Sequence, residues 1–322
     1  MKSNIPEDAK ELRRIWGAFR SSRVLMTANN YRIFDYLAEP QSARTVSKKL
    51  GTDLRATEIL LDALAGMGLL VKQKSRYLNT ASASHLLVSG TPHYQGDIIR
   101  HADILWKNWS GLDEVMKTGQ PSHKAHDQEA FILGMHNLAS LKARDVIKAI
   151  GLKGVRTALD LGGGPGTYSI EMAKKGVSVT LFDHPETIAI ARKVVEKERI
   201  TGITFASGDF LVDDIGTGYD LIFLSQILHA YSEEDNLRLL KKCGKALNSQ
   251  GRIVIQEFYI DEDRTRPLQS ALFSVNMLVN TEGGRCYPPQ EIKNWFSKIG
   301  LQATTERFLD DTILITGTYS TS

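Results

Sequence analysis

The spacing of apolar positions changes once along the chain, near residue 155. Before that point the period is helical. Leu25, Ala28, Ile33 and Leu37 recur near helical spacing ahead of a break at Pro40. TVSKKLG, a turn at Gly51, TDLRATEILLDALAGMGLL and VKQKSRYLNT then predict a short helix, a longer helix and a basic two-stranded ribbon, the order of a winged helix. From His93 to Ile150 the pattern stays helical, with Trp106, Trp109, Phe131, Met135 and Leu138 as large apolar anchors. From Val155 onward the β-rich runs VRTALDLG, VSVTLFD, ITFASGD, YDLIFLS and GRIVIQEF alternate with helical stretches such as TIAIARKVVEKERI. Such alternation predicts a parallel sheet with helices on both faces. LQATTERFL and TILITGTY, joined at Asp310-Asp311, predict a closing antiparallel hairpin.

A parallel sheet that ends in an antiparallel hairpin separates the class I methyltransferase sheet, Rossmann-like and seven-stranded, from the dinucleotide dehydrogenase sheet. The expected fold is therefore α/β, preceded by a mostly helical winged-helix domain. With 322 residues, 42% of them hydrophobic, the chain can bury a sizeable core, and two domains are expected. Forty basic against thirty-seven acidic side chains leave a net charge of +3, which is no nucleic-acid footprint. The predicted recognition helix carries Asp53, Glu58 and Asp62, which would meet phosphates in a major groove. Its apolar residues Ile59, Leu60, Leu61, Leu64 and Met67 cover more than one face, so packing or dimerisation outweighs DNA binding.

Cys243 and Cys286 cannot make a disulfide framework, which points to a reducing, cytoplasmic setting. The opening MKSNIPEDAKELRR lacks the apolar block of a signal peptide. The longest apolar stretch, Ile59 to Val71, is too short to span a bilayer and contains Asp62, so no membrane association is expected.

Candidate chemistry begins at Asp160-Leu161-Gly162-Gly163-Gly164-Pro165-Gly166, between the first β-run and its helix. Glycines there let the backbone turn tightly and approach a ligand. Asp183 ends the second run, seventeen residues past Gly166, where an acid can accept hydrogen bonds from two ribose hydroxyls. Asp209 ends the third, where an adenine amino group would lie. No Walker lysine is present, and Asp209 would repel a pyrophosphate. An adenosine without phosphates fits, and S-adenosylmethionine is such a ligand.

The fourth run leads into LSQILHAYSEEDN, which places His229 just past a buried strand, at the edge where open α/β sheets bind ligands. Glu257 ends the next run, adjacent in such a sheet, and could hold the imidazole tautomer as a triad carboxylate does.

LDLGGGPGTYS, FDHPE, GDFL, ILHAYSEEDNLRLL and EGGRCY together resemble the plant-type small-molecule O-methyltransferases, the caffeate and acetylserotonin class, in a bacterial version. MTANNYRIFDYLAEP, LLDALAGMGLL and YLNT resemble that family's dimerisation domain, so the likeness covers nearly the whole chain. The resemblance implies S-adenosylmethionine as cofactor, a homodimer built by the N-terminal domain, a small-molecule acceptor and no metal. It places Asp160, Gly162, Gly163, Gly164 and Gly166 at the methionine end of the cofactor, Asp183 at the ribose, and Asp209 and Phe210 at the adenine. Tyr231 stands where the family usually has a tryptophan, and Ser225 where it often has a lysine. His229 matches the catalytic base and Glu257 the first of two acids that orient it. Two departures follow from the same comparison: Ala230 replaces an aspartate, and Cys286 replaces the second orienting acid.

Phe131, Met135, Phe273, Asn276 and Met277 are expected to line the acceptor pocket, and the expected division is 1–92 for dimerisation, 93–150 for a helical connector reaching the substrate pocket, and 151–322 for cofactor binding. The expected reaction is methyl transfer to a hydroxyl; its rivals, told apart by product, are a methylated carbon on an aromatic or pyrrole-type acceptor, or decarboxylation or hydroxylation with the cofactor retained. A winged-helix regulator is the non-enzyme alternative, and its helix acids oppose it.

Overall fold

The structure is a computed structural model that describes residues 4–122 and 124–319. The chain divides into two compact units, with the boundary between Ile104 and Leu105, inside the helix Gly96–Trp109.

In the first unit, helices Ile5–Gly17 and Phe19–Asn30 precede a 3-10 turn at Ile33–Tyr36. Arg32 takes a left-handed conformation (φ 51°), so the helical run from Leu25 stops there and not at Pro40. Strand β1 (Gln41–Ser42), helices Ala43–Leu50 and Leu54–Gly66, and strands β2 (Leu70–Gln73) and β3 (Arg76–Asn79) complete the winged helix. The sheet order β1-β3-β2 adds a third strand to the expected ribbon, too short for any periodicity to reveal. The two helices of the winged helix are capped by side chains: Ser42 accepts from the Thr45 N–H at 3.2 Å, and Asp53 from the Ala56 N–H at 2.7 Å. Gly51 supplies the left-handed C-cap between the two helices.

Asp62 has a structural partner. It accepts from Lys72 Nζ at 2.6 Å and from Tyr77 Oη at 2.7 Å, tying the longer helix to β2 and β3. Leu61 and Leu64 are fully buried with Ile33, Phe34, Leu37 and Tyr77, whereas Ile59 is 54% exposed. Helix Ile5–Gly17 buries none of its residues, and Ile5, Leu12, Ile15 and Trp16 all lie open to solvent. Among the described residues no helix is long and apolar enough to cross a membrane.

The second unit opens with helices Leu112–Thr118, Gln128–Ser140 and Ala143–Ile150. Strands β4 (Thr157–Leu161), β5 (Ser178–Asp183), β6 (Ile203–Ser207), β7 (Tyr219–Ser225), β8 (Leu247–Phe258), β9 (Leu301–Leu309) and β10 (Thr312–Tyr319) form one seven-stranded sheet. Its order is β6-β5-β4-β7-β8-β10-β9, parallel from β6 to β8, with β10 antiparallel to both neighbours. β4 and β7 are buried almost throughout, as strands covered by helices on both faces must be. The turn between β9 and β10 is the tight one expected at Asp310-Asp311, with Asp310 left-handed (φ 51°). β6 and β9 are the two edge strands, and β9 is blunted by charge, Glu306 pairing with Lys293 at 2.8 Å. Strand order reverses direction between β4 and β7, which puts a ligand crevice at the carboxyl ends of those two strands.

Candidate active site

The glycine loop follows β4 into that crevice. Gly162, Gly164 and Gly166 all have positive φ, which a residue with a Cβ rarely adopts. A Cβ on Gly163 would fall 2.9 Å from Asp160 Cγ and from Leu181 Cγ, so this residue is also required by close packing. Around Gly164 the Cβ position has no atom within 4 Å, so the loop presents bare backbone to open space.

Asp160 lies beneath the loop at 1% exposure. Its Oδ2 accepts from Ser169 Oγ at 2.6 Å, and its Oδ1 is buried without a partner. Burial pushes this carboxyl up to about 6. Asp183 closes the loop from β5, with Oδ2 accepting from the Gly164 N–H at 2.8 Å and Oδ1 from the His184 N–H at 2.7 Å. Burial raises its pKa, against the lowering effect of those two bonds.

Beyond β6, Asp209 is half-buried and accepts from the Leu211 N–H at 2.9 Å. Phe210 is buried, edge-on to Tyr231 at 5.7 Å, and Lys242 fixes its carbonyl at 2.8 Å. Burial pushes the Tyr231 phenol up to about 12, so it stays neutral. Ser225 Oγ donates to Gln256 Oε1 at 3.0 Å.

Past β7 the chain makes a short 3-10 turn, Leu228–Ala230, that carries His229. Its Nδ1 lies 2.8 Å from Glu257 Oε2, with side chains 11% and 3% exposed. Glu257 Oε1 accepts from the Leu228 N–H at 2.8 Å and the His229 N–H at 3.4 Å. The carboxylate therefore clamps both the turn and the ring. As it can only accept, the ring proton sits on Nδ1, and the lone pair sits on Nε2. Phe273 meets the ring edge-on at 4.9 Å.

Three further residues support the site in roles that residue type does not reveal, although Asn236 and Gly284 lie within ILHAYSEEDNLRLL and EGGRCY. Asn236 Nδ2 donates to the Leu228 carbonyl at 2.8 Å, pinning the turn from the helix Glu233–Ala246. Gly284 lets its segment lie flat on the turn, since a Cβ there would fall 2.2 Å from the His229 carbonyl oxygen. Trp109 Nε1 donates to Asn276 Oδ1 at 2.8 Å, and Asn280 Nδ2 donates to the same oxygen at 3.1 Å. An indole N–H cannot accept, so the Asn276 amide has its oxygen toward Trp109 and its NH₂ directed away.

Of the five expected acceptor-pocket residues, Phe273 stands against His229 and Asn276 follows one turn later on the helix Leu268–Asn280. Met277 is buried, Met135 half-buried, and Phe131 37% exposed on Gln128–Ser140. Cys286 is buried, its N–H donating to Ser274 Oγ at 3.1 Å. Burial pushes its thiol up to about 11, so it is no carboxylate substitute in charge.

A glycine cradle with bare backbone, acids ending β5 and β6, and a buried aromatic pair fit an uncharged adenosine carrying a methionine tail. This is the crevice of an S-adenosylmethionine-dependent methyltransferase. Residues 93–302 match the O-methyltransferase domain and residues 14–89 the O-methyltransferase dimerisation domain. The chain belongs to that O-methyltransferase family. It is 34% identical over 304 residues to the 3-hydroxy-5-methyl-1-naphthoate 3-O-methyltransferase of Streptomyces sahachiroi, which spans 89% of this chain and 88% of the relative. It is 30% identical over 292 residues to the acetylserotonin O-methyltransferase of Gallus gallus, spanning 82% of this chain and 84% of that one. The crystal structure of human N-acetylserotonin methyltransferase in complex with S-adenosylmethionine matches with a TM-score of 0.90 at 25% identity, covering 100% of both chains.

Proposed function

We propose that the protein methylates a hydroxyl on a small aromatic molecule, with His229 as the general base. The single observation that carries this reading is the His229–Glu257 pair at 2.8 Å, which commits the Nε2 lone pair to a proton acceptor's role. When bound, S-adenosylmethionine supplies an electrophilic methyl group on a sulfonium. The chain's own residues then have three tasks. Gly162, Gly163, Gly164 and Gly166 cradle the methionine end, with Asp160 supporting the loop from beneath. Asp183 accepts from the ribose hydroxyls, and Asp209, Phe210, Tyr231 and Ser225 surround the adenine.

The third task is proton removal. His229 Nε2 takes the acceptor's hydroxyl proton while Glu257 stabilises the resulting imidazolium, a device worth on the order of 10²–10⁴-fold. Phe273, Met277, Phe131 and Met135 supply the apolar walls, and the Asn276 NH₂ donates to an oxygen of the acceptor. The names of the relatives from Streptomyces sahachiroi and Gallus gallus support a small hydroxylated acceptor. We further assign residues 1–92 to dimerisation, 93–150 to the connector and 151–322 to cofactor binding, in a cytoplasmic homodimer. The uncovered apolar residues of helix Ile5–Gly17 support the dimer.

His229→Ala tests the reading. With a panel of phenols, release of S-adenosylhomocysteine should fall by about 10²-fold or more, while affinity for S-adenosylhomocysteine holds. Unchanged turnover, with the methyl group found on a carbon by mass spectrometry, would transfer the assignment to carbon methylation.

A further inference from the structure

One residue in the crevice holds an arrangement that neither folding nor the proposed proton transfer explains. Gln226 directly follows β7 and takes a left-handed conformation (φ 60°). Outside glycine and a few polar turn residues this conformation costs free energy, and it persists where the surroundings impose it. Its backbone N–H donates to the Gln256 carbonyl at 2.8 Å, so it is anchored beside Glu257. On its other side, Ile227 reaches over the glycine loop, where a Cβ on Gly162 would fall 2.3 Å from its Cδ1. Gln226 thus occupies the strip between the cofactor loop and the His229–Glu257 pair.

Its carboxamide is the second observation. Both Oε1 and Nε2 are shielded from solvent, and neither has a hydrogen-bond partner within the protein. Buried amides are almost always paired, because an unpaired one forfeits its hydration without return. The neighbouring amides are at least partly committed: Gln256 to Ser225 and Thr312, Asn276 through its oxygen to Trp109 and Asn280, and Asn236 through its NH₂ to the Leu228 carbonyl. Among the described residues, Gln226 is the amide of this crevice whose buried donor and acceptor both lack a partner.

We infer that Gln226 is a specificity-determining residue that recognises a carboxamide or lactam on the methyl acceptor. A primary amide offers a donor and an acceptor side by side, and another amide answers both at once. A carboxylate would satisfy Nε2 but face Oε1 with a second acceptor, and an alkyl group would satisfy neither. The inference rests on the reading of this crevice as the acceptor site.

The test uses three matched ligands: a hydroxybenzamide, the corresponding hydroxybenzoate and the corresponding cresol. Binding to the full-length protein saturated with S-adenosylhomocysteine is followed by calorimetry, and turnover by product mass spectrometry. The wild type should prefer the hydroxybenzamide by about ten- to a hundredfold over the cresol, with the benzoate between them or weaker. Gln226→Leu should bring the three within about twofold of each other, and leave S-adenosylhomocysteine affinity unchanged. Gln226→Gly, which also releases the left-handed backbone, should erase the ranking in the same way should the leucine variant fail to fold. A wild type without the preference, a leucine variant that keeps it, or a loss confined to S-adenosylhomocysteine affinity overturns the inference. Failure of the underlying reading looks different: the amide ranking survives, but methyl appears on carbon or turnover ignores His229.

Discussion

Glu257→Gln is the substitution on which the geometry makes its least intuitive demand. The change is isosteric and removes one charge, so a purely supportive role predicts a mild effect. The hydrogen bonds predict a severe one. Glu257 Oε1 receives the Leu228 and His229 backbone N–H groups at 2.8 and 3.4 Å. A glutamine must keep its oxygen there, because the reversed amide would aim its NH₂ at two other donors. Its NH₂ then faces His229 Nδ1, which is 2.8 Å from the present Oε2. An Nδ1 that receives a hydrogen bond carries the lone pair, and the ring proton moves to Nε2. The atom that should accept the acceptor's proton is thereby occupied.

The expected loss is therefore the whole contribution of general-base catalysis, about 10²–10⁴-fold in kcat/KM, or roughly 3–5 kcal/mol of transition-state stabilisation. Initial rates of S-adenosylhomocysteine formation on a phenolic acceptor measure it. Calorimetry with S-adenosylhomocysteine checks that the cofactor site is intact, and ¹⁵N NMR of the imidazole reports the tautomer directly. A glutamine variant within threefold of wild type, with normal cofactor affinity, refutes the argument. So does an imidazole that keeps its proton on Nδ1.

Two further outcomes follow from other parts of the chain. Burial lifts the Asp160 carboxyl from 3.8 to about 6, so the native state retains a proton that the unfolded chain gives up; stability should fall as pH rises through that window, by at most about 3 kcal/mol. Asp160→Asn should flatten that slope in denaturant titrations between pH 4 and 7, and parallel curves for the two proteins would exclude it. Ile15→Glu combined with Trp16→Glu, at the uncovered face of helix Ile5–Gly17, should convert a dimer to a monomer in light scattering. A wild-type protein that is already monomeric at micromolar concentration would remove the dimer proposal.

β5, β7 and β10 were legible because strands buried on both faces must be nearly continuously apolar, and they lie where their runs place them. β9 is exposed and polar along most of its length, and its place was legible from the hairpin turn it shares with β10. β8 begins at Leu247, four residues ahead of its run, since Leu247, Asn248 and Ser249 carry no apolar pattern. The short β1 and the helix Ile5–Gly17 were not legible, one for its length and the other because none of its residues is buried in a core. Asp160, Asp183, His229 and Glu257 could be located by residue type at strand ends. Gln226, Asn236 and Trp109 could not, because what marks them is whether a polar atom finds a partner, and a sequence does not record that.

The departures at Ala230 and Cys286 sharpen what Glu257 must do. Cys286 packs close enough to feel the Glu257 charge, which adds to the effect of burial in raising its thiol to about 11. At neutral pH that side chain is uncharged and can offer only a weak S–H donor. Ala230 contributes no charge at all. On the proposed reading, an imidazolium formed at His229 would be neutralised by one carboxylate, and that carboxylate also holds the turn through two backbone N–H groups. Orientation of the base and stabilisation of its charged form are concentrated in a single side chain. Neither Ala230 nor Cys286 can compensate for its loss, which is why the glutamine variant is expected to fall as far as removal of the histidine itself.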